Sequence, residues 1–483
     1  MSVRSRSQES PFALGPEALE LLTGRAKRAA GIALAAGARG IASVTVPVPA
    51  DLDVSAAVLA ARRADDRFFC LEQPDRGGFA LAALGAAFVA EARGRERFQE
   101  LACAVRNLAG RTLADDPAAD PRRPAAAGPV LTGGFAFSPE GGAAPEWASL
   151  SPALLVLPEV ALARQDGQVR LTVNVGVDGD ESPGALVERV QARLAELSPA
   201  AMPLFDPDPV ERARVASALP PSHYEEAVAR AVERIRAGHV DKVVLAREVR
   251  VHAPAELDPA PVFDGLREGF PGCYCFCVGT PELAFLGASP ELLVRREGAR
   301  AQSVALAGTT RRSADPAVDD HLGETLARSP KEREEQSIVA RRIRRTLDPV
   351  SLWTAAADEP QLVRVQNVQH LATPIRAQLR EPVAAVELAG LLHPTPAVGG
   401  EPWEAAERLI PALEGLDRGW YAGPVGWTDL SEDGEFFVAI RSALLRGRVA
   451  HLYAGDGIVR DSAPAEELAE TEVKLQALLP LLA

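Results

Sequence analysis

The C-terminal stretch of the chain, residues 418–474, constrains the fold and the chemistry more than any other part of the sequence. A Gly/Pro turn leads into an apolar segment that carries one arginine, Arg441, and a second apolar segment runs to Gly455 and Gly457. These segments predict two strands, the second of which ends in a Gly-x-Gly turn. Pro464 then predicts the start of a helix. Three charged side chains share one face of that helix: Glu467, Glu470 and Lys474.

The residue types in this stretch suit an anionic ligand together with a hard cation. The planar fork of an arginine can bind both oxygens of a carboxylate, and glycines let backbone N–H groups approach an anion closely. Glutamates that point the same way from a helix suit a hard cation. A salt bridge, a turn and an amphipathic helix would explain the same residues without any ligand, so features elsewhere in the chain must distinguish the two interpretations.

Two ionisable residues stand at the ends of segments whose composition predicts buried strands. Lys242 begins the run Lys-Val-Val-Leu-Ala, where a lysine either extends its amine to solvent or has a chemical role. Glu291 follows Pro290 at the mouth of another apolar strand, where a carboxyl group could have a raised pKa and donate a proton. A surface lysine at a strand end, and a glutamate paired with an arginine, are the structural alternatives.

A glycine–threonine pair and a lone histidine belong to two further predicted strands. Gly308 and Thr309 end the strand that includes Val304 in a turn, and their backbone N–H groups could hold a carboxylate. His370 is the single histidine of the strand that begins at Val368. A lone histidine is more often a packed or surface residue than a functional one, so a structural interpretation stays open here.

The segment 319–348 predicts a long helical stretch that restarts at Ser329. Ser329 suits an N-cap, and Pro330 suits the first helical position. Glu332 then falls where a capping-box glutamate would lie, so capping is sufficient to explain it. Glu335 lies one turn further along and has no such local explanation.

Together these motifs resemble those of the chorismate-utilising enzyme family over roughly residues 220–483, and the Pro- and Gly-rich loop 393–402 is similar to the isochorismate synthase branch. Ala307 stands where aminodeoxychorismate synthases carry a lysine, and Ala305 and Leu306 stand where anthranilate synthases carry Pro-Ile. The resemblance implies isomerisation of chorismate to isochorismate, for menaquinone or siderophore biosynthesis. Salicylate synthase, anthranilate synthase component I and a catalytically silent binding homologue are the alternatives.

The resemblance also implies a role for each motif residue. Lys242 would activate the water that adds at C2 of chorismate, and Glu291 would protonate the departing C4 hydroxyl. Mg²⁺ would be the cofactor, and carboxylates would hold it: Glu335 and Glu470 as ligands, with Glu332 and Glu467 in support. Six further residues would bind the substrate: Gly308, Thr309, His370, Tyr421, Arg441 and Gly455.

Two positions depart from the pattern of the family. Gln336 stands where the family usually has a histidine, next to the proposed ligand Glu335. Asp456 stands where alanine is commoner, and it adds a negative charge beside a proposed anion site. The first departure concerns the surroundings of the metal ligand, and the second has no explanation in the sequence.

The predicted fold class is α+β, because strand-rich segments are separated by long helical ones. The resemblance implies two large antiparallel sheets packed as a sandwich, with surrounding helices and the site in a cleft. Residues 1–215 are predicted to be a variable N-terminal region that completes the sheets, and residues 216–483 to be the chorismate-binding catalytic core. Local patterns predict a hairpin at 68–82, a helical segment at 86–109 and a capping box at 222–225.

Charge and composition exclude some classes of partner. The 483 residues carry a net charge of −14, which disfavours nonspecific binding to nucleic acid or anionic membranes. No apolar run approaches the roughly 20 residues of a membrane span, the N-terminus lacks a signal-peptide layout, and the odd number of cysteines predicts reduced thiols. We expect a cytoplasmic monomer or weak dimer that acts on chorismate without an amidotransferase subunit.

Overall fold

The computed structural model describes residues 10–120, 122–178, 182–203, 212–365 and 368–482. Its helices are α1 Pro16–Ala36, α2 Val54–Ala60, α3 Arg97–Ala109, α4 Pro183–Ala195, α5 Pro221–Arg236, α6 Pro259–Gly269, α7 Pro316–Arg328, α8 Pro330–Leu347, α9 Ala385–Leu392, α10 Trp403–Glu414 and α11 Pro464–Leu475. None of these helices has the length and apolar character needed to cross a membrane. Its strands are β1 Gly40–Val48, β2 Phe68–Gln73, β3 Phe79–Leu84, β4 Phe88–Ala92, β5 Thr112–Leu113, β6 Val130–Phe135, β7 Ala153–Leu157, β8 Val160–Gln165, β9 Gln168–Val177, β10 Arg214–Ser217, β11 Lys242–His252, β12 Tyr274–Gly279, β13 Ala284–Ser289, β14 Leu292–Glu297, β15 Arg300–Arg311, β16 Ser351–Ala356, β17 Gln361–Arg364, β18 Val368–Leu379, β19 Gly400–Glu401, β20 Pro424–Asp429, β21 Gly434–Val438, β22 Ser442–Arg446 and β23 Val449–Ile458.

The strands form two large sheets. The first has the order β10-β11-β23-β22-β13-β12-β2-β3-β8-β9-β1-β5, with β19 paired to β11. The second has the order β16-β18-β15-β14-β21-β20-β6-β7-β4, with β17 paired to β18. Within the described part of the chain, neighbouring strands pair antiparallel apart from β1 and β5. The α+β prediction with two large antiparallel sheets is therefore confirmed.

Side chains of the first sheet alternate between two hydrophobic cores. Phe276 and Phe285 pack with residues of the second sheet in the core between the sheets, and their ring centroids lie 5.4 Å apart. Cys275, Cys277 and Leu286 belong to a second core, which helices α1, α2, α4 and α6 cover. Because these strands are buried on both faces, they are almost continuously apolar in sequence.

Both sheets contain strands from each side of residue 215. Strand β2 pairs with β12 in the first sheet, and β6 pairs with β20 in the second. Hydrogen bonds of both sheets thus cross the predicted boundary. The division into a variable region, 1–215, and a catalytic core, 216–483, stays a prediction.

Of the three local predictions, the hairpin is right, the helical segment is right only for α3, Arg97–Ala109, and the capping box is wrong. The predicted hairpin is formed by β2 and β3. The segment 86–109 begins with a strand, β4, because pairing with β7 overrides the helical period there. The capping box at 222–225 is absent: α5 begins at Pro221, and its N-cap, Pro220, makes no side-chain cap bond. A proline whose φ is already close to the helical value opens this helix instead.

A buried carboxylate joins the two sheets to the β2–β3 hairpin. Glu435 on β21 accepts hydrogen bonds from Arg76 Nη1 in the hairpin turn, at 2.7 Å and 2.8 Å to its two oxygens. It also accepts from Tyr274 on β12, at 2.8 Å, and from Arg295 Nε on β14, at 3.0 Å. Burial raises the pKa of Glu435, but the two arginines outweigh burial and hold its pKa below the usual value.

We expect Glu435→Ala to lower the free energy of unfolding by about 3 kcal/mol, because two largely buried arginines would lose their shared partner. Urea denaturation at pH 7 measures this. Glu297→Gln removes an exposed carboxylate from the end of β14 and serves as the matched control, with an expected change within about 0.5 kcal/mol. Equal denaturation midpoints for the two variants would show that the network does not stabilise the fold.

Candidate active site

Two connections between the sheets lie side by side and position two of the predicted site residues. The chain passes from β13 in the first sheet to β14 in the second at Glu291, and it returns from β21 to β22 at Arg441. Ser289 Oγ donates to Val438 O at 2.5 Å, and Val438 N donates to Glu291 O at 3.0 Å. Ala288 N donates to Arg441 O at 3.1 Å. These bonds hold the two connections together at the junction of the sheets.

The apolar neighbours of Arg441 predicted that it lies inside a strand, but in the structure it does not. It lies between β21 and β22 with a φ of 52°, a conformation that residues other than glycine seldom adopt. Its Nη2 donates to His370 Nε2 at 3.1 Å, so the proton of this imidazole is on Nδ1, which lies 3.2 Å from Gly308 O. Burial and the adjacent Arg441 lower the pKa of His370 to about 3. A neutral histidine therefore orients the guanidinium.

The predicted turn at Gly308 and Thr309 is a bulge inside β15. The pairing of β15 with β18 shifts register between Ala307 and Thr309, and Gly308 has a φ of 74°. A Cβ at position 308 would lie 2.9 Å from Glu332 Oε2. Glycine therefore permits both the left-handed backbone and the close approach of a carboxylate.

Lys242 and Glu335 form a buried ion pair beside β23. Lys242 Nζ donates to Glu335 Oε1 at 2.7 Å, and the lysine is fully buried. The predicted turn at Gly455 and Gly457 is wrong, since β23 continues past both residues in register with β11. Gly457 is required for space: a Cβ there would lie 2.5 Å from Glu335 Oε1 and 2.8 Å from Lys242 Cε.

A cleft next to these elements encloses about 800 Å³ of empty space, including its open mouth. Lys242 is not on its wall and reaches it through Glu335. All the other predicted site residues line the cleft: Glu291, Gly308, Thr309, Glu332, Glu335, His370, Tyr421, Arg441, Gly455, Glu467 and Glu470. The structure therefore brings the predicted residues together, and their individual roles stay predictions.

Glu291 has the environment of a proton donor. Burial raises its pKa to about 8, although the charge of Lys242 and a hydrogen bond from Thr395 act in the opposite direction. Thr395 Oγ1 lies 3.5 Å from Glu291 Oε1. The carboxyl group is therefore mostly protonated at neutral pH. The loop that contains Thr395 is recognisable in the sequence, whereas this contact is not.

Part of the cleft wall is formed by two tyrosines and by Arg418, which forms a buried ion pair with Glu414. The rings of Tyr421 and Tyr453 stack with centroids 5.2 Å apart, and burial raises the pKa of Tyr421 to about 12, so its hydroxyl stays protonated. Arg418 also lines the cleft, but its guanidinium donates to Glu414, Val398 O and Val244 O. The guanidinium of Arg418 thus donates its hydrogen bonds within the protein, whereas the Tyr421 hydroxyl is a candidate donor to a ligand.

Gln336 holds the helix that carries Glu335. Its Nε2 donates to Ala305 O on β15 at 2.9 Å and to Thr373 Oγ1 on β18 at 3.0 Å. These bonds fix α8 against the second sheet. The departure at position 336 therefore has a structural role that does not involve contact with the carboxylates.

Two lysines without a role in the sequence analysis neutralise part of the acidic charge. Lys331 Nζ lies 3.1 Å from Glu467 Oε1, and Lys474 Nζ lies 3.0 Å from Glu470 Oε1 and 3.1 Å from Asp456 Oδ1. Burial lowers the pKa of both lysines, but the carboxylates outweigh burial and raise it overall. The spacing of four residues between Glu470 and Lys474 on one helix was the available signal for the second pair.

The acidic side chains can hold a hard cation. Asp456, Glu467 and Glu470 each offer one carboxylate oxygen, and these three atoms lie within 4.8 Å of one another. Such an oxygen-only donor set is the one that Mg²⁺ requires. Burial and neighbouring carboxylates raise the pKa of Asp456, whereas for Glu470 the charge of Lys474 outweighs burial and lowers the pKa. The two predicted Mg²⁺ ligands have different partners: Glu470 is paired with Lys474, whereas Glu335 accepts a hydrogen bond from Lys242.

Burial and the charge of Glu335 also raise the pKa of Glu332 to about 7. Its backbone N–H donates to Ser329 Oγ at 3.4 Å, which confirms the predicted helix N-terminus at Ser329 and Pro330. Glu332 therefore combines a structural position at the start of α8 with a side chain on the cleft wall.

Comparisons with known proteins agree with this site. Residues 28–483 match the family described as chorismate binding enzyme. The chain is 37% identical to isochorismate synthase MenF of Bacillus subtilis, covering 74% of this chain and 75% of the relative. It is also 37% identical to the salicylate biosynthesis isochorismate synthase of Pseudomonas aeruginosa, covering 84% and 83%. The solved structure of the menaquinone-specific isochorismate synthase of Escherichia coli has a TM-score of 0.77 at 27% identity, covering 94% of this chain and 99% of that one. With a family match over most of its length, the chain belongs to the chorismate binding enzymes.

Proposed function

We propose that this protein is an isochorismate synthase that converts chorismate to isochorismate by adding water at C2 and losing the C4 hydroxyl, with Mg²⁺ as cofactor. The observation that carries the proposal is one cleft that combines a protonated carboxyl group, Glu291, with a group of carboxylates, one of which, Glu335, is paired with the buried Lys242 behind the cleft wall. The names of the relatives from Bacillus subtilis and Pseudomonas aeruginosa support it.

Glu291 is the proposed general acid. The departing C4 hydroxyl needs a proton, and a carboxyl group with a pKa of about 8 carries one at neutral pH. An ordinary surface glutamate would be ionised there and could not donate. Burial at the connection between the sheets therefore produces the acid.

Lys242 is the proposed general base, and its partner sets a condition on that role. As the donor of an ion pair with Glu335, the amine has no free lone pair with which to accept a proton from water. It can act as a base only after it has lost a proton, and the Glu335 carboxylate opposes that loss because it stabilises the ammonium form. Glu335 is also a proposed Mg²⁺ ligand, and a cation bound there would weaken its hold on the ammonium group.

Arg441, Tyr421 and the Gly455 backbone are proposed to hold the enolpyruvyl carboxylate of the substrate. Arg441 is oriented by His370, and Tyr421 keeps its proton, so both present donors. Fixed donors place the ring between the acid and the base without reorganisation during the reaction.

The proposed metal would be held by Glu335 and Glu470, with Glu332 and Glu467 in support. Bound there, Mg²⁺ would neutralise the ring carboxylate and polarise the conjugated system. Such a site also explains how a chain with a net charge of −14 binds a dianion, because local cations oppose the overall field. Action in the cytoplasm as a monomer or weak dimer, without an amidotransferase subunit, nucleic acid or membrane partner, is part of the proposal and rests on the sequence.

Purified protein given chorismate and Mg²⁺, without ammonia or glutamine, should yield a mixture of chorismate and isochorismate that is approached from either side. Chromatography of the products measures this. Salicylate with pyruvate would indicate a salicylate synthase, and activity only with ammonia would indicate an anthranilate synthase. Absence of any product would indicate a binding protein without catalysis.

Replacing either proposed proton-transfer residue should lower turnover by about 100- to 10,000-fold, because each transfer contributes that much to the rate. Lys242→Ala and Glu291→Gln should still bind chorismate, which equilibrium dialysis measures alongside the steady-state rate. A variant with the turnover of the unmodified protein would remove that residue from the mechanism.

The pH profile should separate a proton donor from a structural residue. Turnover should fall as pH rises through about 8, because Glu291 then loses the proton that it must donate. Thr395→Val is the matched variant: it removes a hydrogen bond that lowers the pKa of Glu291, so the fall should move to higher pH. An alkaline limb that stays in place in Thr395→Val would argue against Glu291 as its origin.

Neutralising a proposed ligand should raise the Mg²⁺ concentration needed for half-maximal activity. We expect an increase of at least about tenfold for Glu335→Gln and for Glu470→Gln, because each removes one charged donor. Mg²⁺ titrations of the initial rate measure this. A titration curve that superimposes on that of the unmodified protein would contradict the assignment of that ligand.

A further inference from the structure

Asp456 is an acidic residue near the end of a largely buried strand. It lies on β23 opposite Leu245 of β11, the residue is 7% exposed, and it lines the cleft. Aspartate is depleted in strands, and burying a carboxylate is unfavourable unless other groups compensate its charge. The partners of its two oxygens therefore indicate what the residue does.

One oxygen of Asp456 is satisfied and the other is not. Oδ1 lies 3.1 Å from Lys474 Nζ and accepts from Gly457 N at 2.9 Å. Oδ2 is buried and accepts no hydrogen bond from the residues that the structure describes, and the Asp456 side chain lies within hydrogen-bonding reach of the Glu470 carboxylate. A role as counter-ion of Lys474 explains Oδ1 but leaves Oδ2 unexplained.

Lys474 cannot supply a donor to the second oxygen. Its ammonium group contacts three acceptors, at 3.1 Å from Gly455 O, 3.1 Å from Asp456 Oδ1 and 3.0 Å from Glu470 Oε1. An ammonium group has three hydrogens, so these contacts occupy all of them. Lys474 therefore has no further hydrogen to donate to Oδ2 of Asp456.

The carboxyl groups of this cluster also crowd one another. Asp456, Glu467 and Glu470 place one oxygen each within 4.8 Å of one another, and their paired cations are Lys474 and Lys331. Carboxylates at such a distance repel strongly unless a proton or a cation lies between them. A divalent cation would supply both positive charge between the carboxylates and a partner for Oδ2.

We propose that Asp456 is a third protein ligand of the divalent cation that Glu470 binds, with Oδ2 as the donor atom and Lys474 holding the carboxylate in place through Oδ1. The inference deepens the proposed function, on which the identity of the cation as Mg²⁺ rests. The extra carboxylate raises the affinity for a hard divalent cation, because ligand charge count sets the affinity of oxygen-ligand sites.

The test uses Mn²⁺ as the probe, and the loss of the electron paramagnetic resonance signal of free Mn²⁺ measures binding without substrate or turnover. Asp456→Asn keeps the size of the side chain and removes its charge. We expect its dissociation constant for Mn²⁺ to rise by at least about tenfold. Glu466→Gln removes an exposed carboxylate from the same helix as Glu467 and Glu470, and it should change the constant by less than about twofold.

Each other outcome overturns a defined part of the proposal. Mn²⁺ binding that is unchanged or tighter in Asp456→Asn, with weaker binding in Glu470→Gln, would exclude Asp456 as a ligand and keep the cation site. Unchanged binding in both variants would overturn the cation site itself, whereas isochorismate formation by the unmodified protein tests the catalytic proposal separately. Metal-free thermal unfolding must show that Asp456→Asn is folded, and we expect it to be at least as stable, because the substitution removes a buried carboxyl group from among other carboxylates.

Discussion

The accumulation of ionisable groups in a buried cleft is the constraint on which the rest of the site depends. Six carboxylates line the cleft against four basic side chains, of which Arg418 is already paired with Glu414. A charge removed from water is tolerated only with a partner or in its neutral form. The protein uses both solutions, because Glu291 is held protonated while Glu335, Glu467 and Glu470 are paired with lysines.

Two of the connections by which the chain passes between its sheets border this cleft. At each passage the backbone leaves regular pairing, so a side chain there is released from the strict alternation between the two cores. Glu291 occupies one passage and Arg441 the other, and backbone hydrogen bonds tie the passages together. Glu291, the proposed acid, and Arg441, the candidate hydrogen-bond donor to a substrate carboxylate, are consequently fixed relative to each other by the architecture of the sheets rather than by a flexible loop.

Sequence patterns were sufficient for many elements, because apolar strands, prolines and helix caps are local signals, whereas the set of residues around the cleft was indicated by the resemblance to the chorismate-utilising family. They failed where backbone geometry depends on distant partners. Glycines that predicted turns at 308 and 455–457 lie in a bulge and inside a strand, since pairing with β18 and β11 continues past them. The pairing of Lys242 with Glu335 and the free oxygen of Asp456 were not predictable, because they join segments far apart in sequence.

The carboxylate of Glu335 connects the two halves of the proposed chemistry. It accepts a hydrogen bond from the ammonium group of Lys242 on one side and faces the carboxylates of the cleft on the other. A cation bound to this carboxylate would reduce the negative charge that stabilises the ammonium form of Lys242, so occupancy of the cation site and the ability of Lys242 to accept a proton would change together. With an empty cation site, Lys242 would stay charged beside Glu335, and the proposed base for the water that adds at C2 would become available only after the site is assembled.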